Sequence, residues 1–254
     1  MIRGLVGLFF LVGAWAVQAM PLTSGDLVNL AGRQRMLSQR IVKAYAQVGA
    51  NVLPVQSRQI LDDSIALFAQ QFEQLQMTSN KPEQRDLLVT IQRLWPDVRR
   101  IASAPVDKQS AALLQTRSNE LEAISHRLAG LIEVDGGVSI ARLVNVAGRQ
   151  RMLSQRLTKT YMLRAWNIDS PQIRRELESS RQEFSEALQL LAQAPENTPE
   201  IRHELNLIES QWNWFQAALE LEGANSYRLV VADSSESMLA SLEHLVALYA
   251  RLGR

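Results

Sequence analysis

The chain has 254 residues, 46% hydrophobic and 21% charged, with 12 glycines and 8 prolines, which excludes collagen-like, low-complexity and bulk-disordered classes. At about 150 residues per domain, this length fits one large domain or two small ones. Basic and acidic residues number 27 and 26, and the absence of cysteine removes disulfides, thiolate metal sites and cysteine nucleophiles.

The N-terminus reads as a leader. Arg3 precedes an uncharged apolar run from Leu5 to Val17, and Val17-Gln18-Ala19 offers small residues where a signal peptidase cuts. Cleavage is expected after Ala19, with export to a periplasm. The alternative, a retained anchor, meets the difficulty that spanning a bilayer takes about 20 apolar residues.

Beyond the leader, Leu, Ala, Gln, Glu and Arg dominate and long β-branched runs are missing, which favours helix. Breakers divide the first half into helices near 24–50, 55–78, 82–103 and 107–134, interrupted at Asn51 and Pro54, at Ser79-Asn80-Lys81-Pro82 and at Pro105. The second half gives helices near 139–167, 170–194, 198–222 and 225–252, with breaks at Ser170-Pro171, between Pro195 and Pro199, and at Gly223. Short links between long helices favour antiparallel neighbours, so the expected fold is all-α, two tandem up-down-up-down four-helix bundles. The expected units are a leader over 1–19 and bundles over 20–135 and 136–254. The Val134-Asp135-Gly136-Gly137 junction favours a turn that lays the second bundle beside the first.

The halves repeat each other. VNLAGRQRMLSQRI at 28–41 and VNVAGRQRMLSQRL at 144–157 agree at 12 of 14 positions with an offset of 116. The register continues through Lys43 with Lys159, Tyr45 with Tyr161, Phe68 with Phe184 and Leu75 with Leu191. After a one-residue insertion it continues through Leu121, Leu128 and Leu131 with Met238, Leu245 and Leu248. A period this long exceeds that of solenoids, so each copy is expected to own a core.

In the first helix Leu30, Leu37, Ile41, Ala44, Tyr45 and Val48 form the apolar stripe. The other side carries Gly32, Arg35, Met36, Gln39 and Lys43, flanked by Arg33 and Arg40. A mid-helix glycine costs about 1 kcal/mol relative to alanine, and close approach of a backbone or ligand is the plain reason to keep one. Residues 27–61 carry +5 and residues 136–168 carry +6, with no acid in either window, while the rest of the chain after the leader sums to −11. Such helices lack i,i+4 acidic partners, so their counter-ions come from neighbouring helices or from a bound anion.

AGRQRMLSQR, present twice, resembles the motif of the type IV pilus methyl-accepting chemotaxis transducer N-terminal domain, the PilJ-type domain. That domain is related to the periplasmic sensor domain of nitrate/nitrite sensor histidine kinases. The resemblance is strongest over 28–45 and 144–161. It implies a segment of the form G-x-x-R-M-x-S-x-R, met here by Gly32, Arg35, Met36, Ser38 and Arg40, and by Gly148, Arg151, Met152, Ser154 and Arg156. In the nitrate sensors two first helices meet and hold one nitrate chiefly through the arginine three after the glycine, which implies Arg35 and Arg151 here. Arg33 and Arg149 add charge that those sensors do not always have. With Ser38, Gln39, Ser154 and Gln155 they are secondary candidates.

Guanidinium groups fork onto planar oxyanions such as nitrate, nitrite or a carboxylate. The leading expectation is therefore a periplasmic sensor-type protein that binds a small anion between its duplicated first helices, has no output module of its own and signals through a membrane partner. The alternative is an interaction module whose Gly/Arg/Met face docks onto a membrane chemoreceptor or pilus component, with no small ligand. A homodimer is compatible with either. Nucleic-acid binding conflicts with the leader and the acidic remainder. No cofactor pattern, metal-ligand spacing or catalytic constellation occurs, His126, His203 and His244 lie away from the repeats, and an enzyme is not expected. The acids Asp62, Asp63, Glu176, Glu178, Glu183 and Glu186 read as solvated or as partners of the arginines. Trp95, Trp212 and Trp214 read as core or interface anchors.

Overall fold

A computed structural model describes residues 22–136, 139–220 and 225–253. The expected leader, the glycine junction at 137 and the break at Gly223 lie outside the described residues. Eight helices are described: α1 (Ser24–Gly49), α2 (Pro54–Thr78), α3 (Pro82–Ser103), α4 (Lys108–Gly136), α5 (Ser139–Ala165), α6 (Pro171–Ala192), α7 (Pro199–Glu220) and α8 (Asn225–Leu252). Among the described residues none is long and apolar enough to cross a membrane.

Local chemistry accounts for the bounds. Thr23 caps α1 in a reciprocal box with Asp26, supplying two of the orphan groups of the first turn. Proline opens α2, α3, α6 and α7, where its missing N–H costs nothing. Asn51 and Asn167, equivalent in the duplication, both take left-handed backbone just past α1 and α5, with φ of 57° and 60°, a conformation asparagine tolerates better than most residues.

Each copy packs its first helix against its second and fourth, and its third against its fourth. In the first copy Phe68 stacks on Trp95 at 4.1 Å, and in the second Phe184 stacks on Trp212 at 4.2 Å; the buried apolar residues of both copies join in one core rather than the separate cores expected. Trp214 is not a core anchor: it points outward, 79% exposed.

The bundles lie side by side through α1 and α5, which run parallel. At the start of this seam Gly25 faces Val144, and at its end Gly49 faces Trp166. A Cβ at Gly49 would come within 2.2 Å of the Trp166 ring, so the glycine is what admits the indole. Tyr45 lies against the same ring. Consequently α1 is covered on its basic side as well as its apolar stripe: Gln34, Arg35, Met36, Ser38, Gln39 and Lys43 are all buried.

Candidate functional site

Four buried residues meet at the centre of the seam. A Cβ on Gly32 would stand 3.1 Å from Nη2 of Arg35 and 3.6 Å from Nη2 of Arg151. One on Gly148 would stand 3.3 Å from Nη2 of Arg151 and 3.5 Å from Nη2 of Arg35. The two guanidinium groups thus lie together over both glycines. Their side chains are fully buried.

The surroundings follow the internal twofold. Arg35 Nη2 donates to Oδ1 of Asn145 at 2.7 Å, and Arg151 Nη2 donates to Oδ1 of Asn29 at 2.8 Å. Each asparagine lies on the opposite copy, one turn before its glycine, and the pair locks the register of α1 against α5. Glu133 receives the side-chain amide of Asn145.

The symmetry fails at several positions, one pair of which touches Arg35 and Arg151 directly. Glu243 of α8 accepts from Arg151 Nη1 at 2.7 Å and from Arg33 Nη2 at 2.6 Å. Its equivalent on α4 is His126, whose Nδ1 lies 3.1 Å from Arg35 Nη1 and 3.2 Å from Arg149 Nη1. Two guanidinium donors on one ring nitrogen require it to act as an acceptor, so the imidazole is neutral. Arg149 also reaches Glu183 at 2.7 Å. Among the described residues no carboxylate lies within ion-pair distance of Arg35. The Nε–H groups of Arg35 and Arg151 are buried and have no acceptor.

Electrostatics reflect the burial of both guanidinium groups. Burial pulls the Arg35 guanidinium down to about 9, with Arg149 and Arg151 adding to the effect against Glu122 and Glu133. The group stays charged at neutral pH, but its charge is poorly compensated. Arg151 is also lowered by burial, with Glu243 working against the shift. Burial pushes the Glu243 carboxyl up, but Arg151 and Arg33 outweigh it and hold the group below its ordinary value. His126 is lowered by partial burial and by the charges of Arg35 and Arg149.

One turn further along, a second polar layer holds Arg40 and Arg156, apart from the paired arginines. Glu236 takes Arg40 at 2.6 Å and also Lys43. Arg156 pairs with Glu122 at 2.8 Å, while Lys159 pairs with Glu176 and reaches Asn119, the equivalent of Glu236. Burial lowers both lysines to about 8 against the pull of Glu236 and Glu176. Met36 and Met152 belong to the apolar core. Ser38 and Ser154 donate to the carbonyls of Gln34 and Arg151, and Gln39 and Gln155 turn to Asn119 and Ser235.

Of the two counter-ion sources left open, a neighbouring helix supplies that of Arg151, because α8 of its own bundle carries Glu243 into the seam. One expectation needs correction. A histidine does stand at the repeats: His126 is 91 positions from Arg35 in sequence, yet the turn of the bundle brings α4 against α1. Asn29, Asn145, Glu133 and Glu243 were also not singled out. The duplication carried a usable signal, since extending its register past the insertion sets His126 opposite Glu243.

The family described as Type IV pili methyl-accepting chemotaxis transducer N-term matches the chain twice, over residues 21–128 and 138–242. No curated protein and no solved structure matches it.

Proposed function

Because the chain belongs to the family of N-terminal domains of type IV pili methyl-accepting chemotaxis transducers, in two copies, we propose that it is a sensor-type periplasmic protein. It binds one small anion, nitrate-like or a carboxylate, between Arg35 and Arg151, and it acts through a membrane partner rather than as an enzyme. Each copy, 20–135 and 136–254, is one domain, and the seam between them is the sensing element. One chain would then supply both walls of a site that needs two copies of the same helix.

The observation that carries this reading is the pair of fully buried guanidinium groups over Gly32 and Gly148, one of them without a carboxylate. Burying ionic groups is a poor route to stability, and well-packed apolar residues commonly do as well or better. A guest anion supplies what the protein withholds: charge-assisted acceptors for Arg35 and for the idle Nε–H groups. By relieving repulsion across the seam it would draw α1 and α5 together, a displacement a partner can read.

The Gly/Arg/Met face is already packed against its own duplicate, so an external helix would have to be met by another surface. Titration calorimetry and thermal melting with nitrate, nitrite and small carboxylates test the reading. Saturable heat and a raised Tm are expected for at least one of them, and both should vanish in the Arg35→Ala/Arg151→Ala double variant. Silence from every anion, or an unchanged response in the double variant, would refute it.

A further inference from the structure

The failure of symmetry at His126 and Glu243 points beyond the presence of an anion site to its character. Four guanidinium groups, Arg33, Arg35, Arg149 and Arg151, converge on the seam. Glu243 and Glu183 touch them, and Glu133 stands one hydrogen bond behind Asn145. One positive charge is left over in this count, and Arg35 is the one guanidinium of the four with no carboxylate directly against it among the described residues. The two sides also differ in access. His126 is solvent-exposed at the rim with one ring edge against Arg35, whereas Glu243 is half-buried between two arginines.

We propose that Glu243 is a built-in counter-anion that closes one half of the shared site, and that His126 leaves the other half as the seat of a single external monoanion. This rests on the anion reading above. Replacing the His126 nitrogen on Arg35 by an anionic oxygen turns a neutral acceptor into a charged one, roughly doubling the strength of that bond. Displacing Glu243 from Arg151 only exchanges one anionic acceptor for another and leaves the carboxylate with Arg33 alone, so it yields little. A dianion would over-neutralise the site and be repelled by Glu243 and Glu183. Glu243 therefore sets both the stoichiometry and the charge of the guest.

Calorimetry of the whole chain with sodium nitrate and sodium sulfate at constant ionic strength tests this. The wild type should take one nitrate per chain, with sulfate at least about tenfold weaker, a difference of roughly 1.4 kcal/mol. In Glu243→Gln the preference should collapse: either a second nitrate binds or sulfate binds at least about tenfold better than to the wild type. In His126→Glu nitrate affinity should fall about tenfold or more, while the anion-free Tm rises because the new carboxylate repeats the Glu243 arrangement; that rise certifies folding.

If the wild type binds nitrate but Glu243→Gln keeps its stoichiometry and sulfate discrimination, or His126→Glu binds as the wild type does, the inference is overturned and the anion reading stands. If only Glu243→Gln binds an anion, Glu243 does act as a counter-anion, but the monoanion seat beside His126 and the anion reading of the wild type both fall. If neither binds any anion, both fall.

Discussion

Phe68 on Trp95 and Phe184 on Trp212 stack at nearly the same separation in the two bundles. His126 and Glu243, equally matched by the duplication, offer Arg35 and Arg151 a neutral ring and a carboxylate. The core pairs answer only to packing, and packing demands the same volume in each copy. The seam residues answer to charge, where one substitution changes the acceptor that a guanidinium meets. Core packing is thus repeated, while the charge pairing of the seam differs between the copies.

The core side of this comparison predicts the largest effects. Phe68→Ala and Phe184→Ala should each cost about 4 kcal/mol in chemical denaturation, and nearly equally, because each empties an equivalent buried position. Markedly unequal losses would break the equivalence of the cores. The seam should behave otherwise. Glu243→Ala, measured without added anion, should cost about 3 kcal/mol by stranding Arg151 in the interior, whereas His126→Ala should cost under ~1 kcal/mol because a solvent-exposed neutral ring is lost. Equal costs would erase the asymmetry.

Gly49→Ala probes the seam as a whole. Its Cβ would overlap the Trp166 indole, so a loss of about 2 kcal/mol is expected, together with a change in Trp166 fluorescence. Gly32→Ala should be milder, since the nearest group is the movable end of Arg35.

The smallest effect is in pH. Partial burial lowers the proton affinity of His126 below the ordinary value of 6.5, with Arg35 from α1 and Arg149 from α5 adding to the effect against Glu122 from its own helix and Glu183 from α6. The unfolded chain then binds more protons just below pH 6.5, so stability is full above that value and declines as pH falls through it toward the depressed folded value. With solvent screening the loss should stay well under ~1 kcal/mol. Melting at pH 7 and pH 5.5 should show it in the wild type and not in His126→Gln, and added nitrate should oppose it.

Helix limits were legible because the breakers are strong: the expected 82–103 and 225–252 coincide with α3 and α8, and the other limits fall within a few residues. The duplication and the meeting of Arg35 with Arg151 could be read from the repeated text, since identical helices that each carry a glycine notch have an obvious mate. What covered the arginines could not be read that way. Glu243 and His126 reach the seam only because α8 and α4 return along their bundles, a consequence of packing rather than of local pattern. The burial of Lys43 and Lys159 follows from the same cause, for α1 and α5 are hemmed by helices on several sides. Trp214 shows the opposite limit: its spacing suits a helix face, but composition alone does not say which face turns outward.

Whether Arg35 and Arg151 form one site across the duplication is tested most directly by nitrate titration of Arg35→Ala, Arg151→Ala and the double variant. If the arginines share one guest, each single change should abolish most of the binding free energy and the second should add little, a strongly non-additive cycle. Independent sites would instead give additive losses, with half the wild-type stoichiometry surviving in each single variant, and that result would contradict the shared seam.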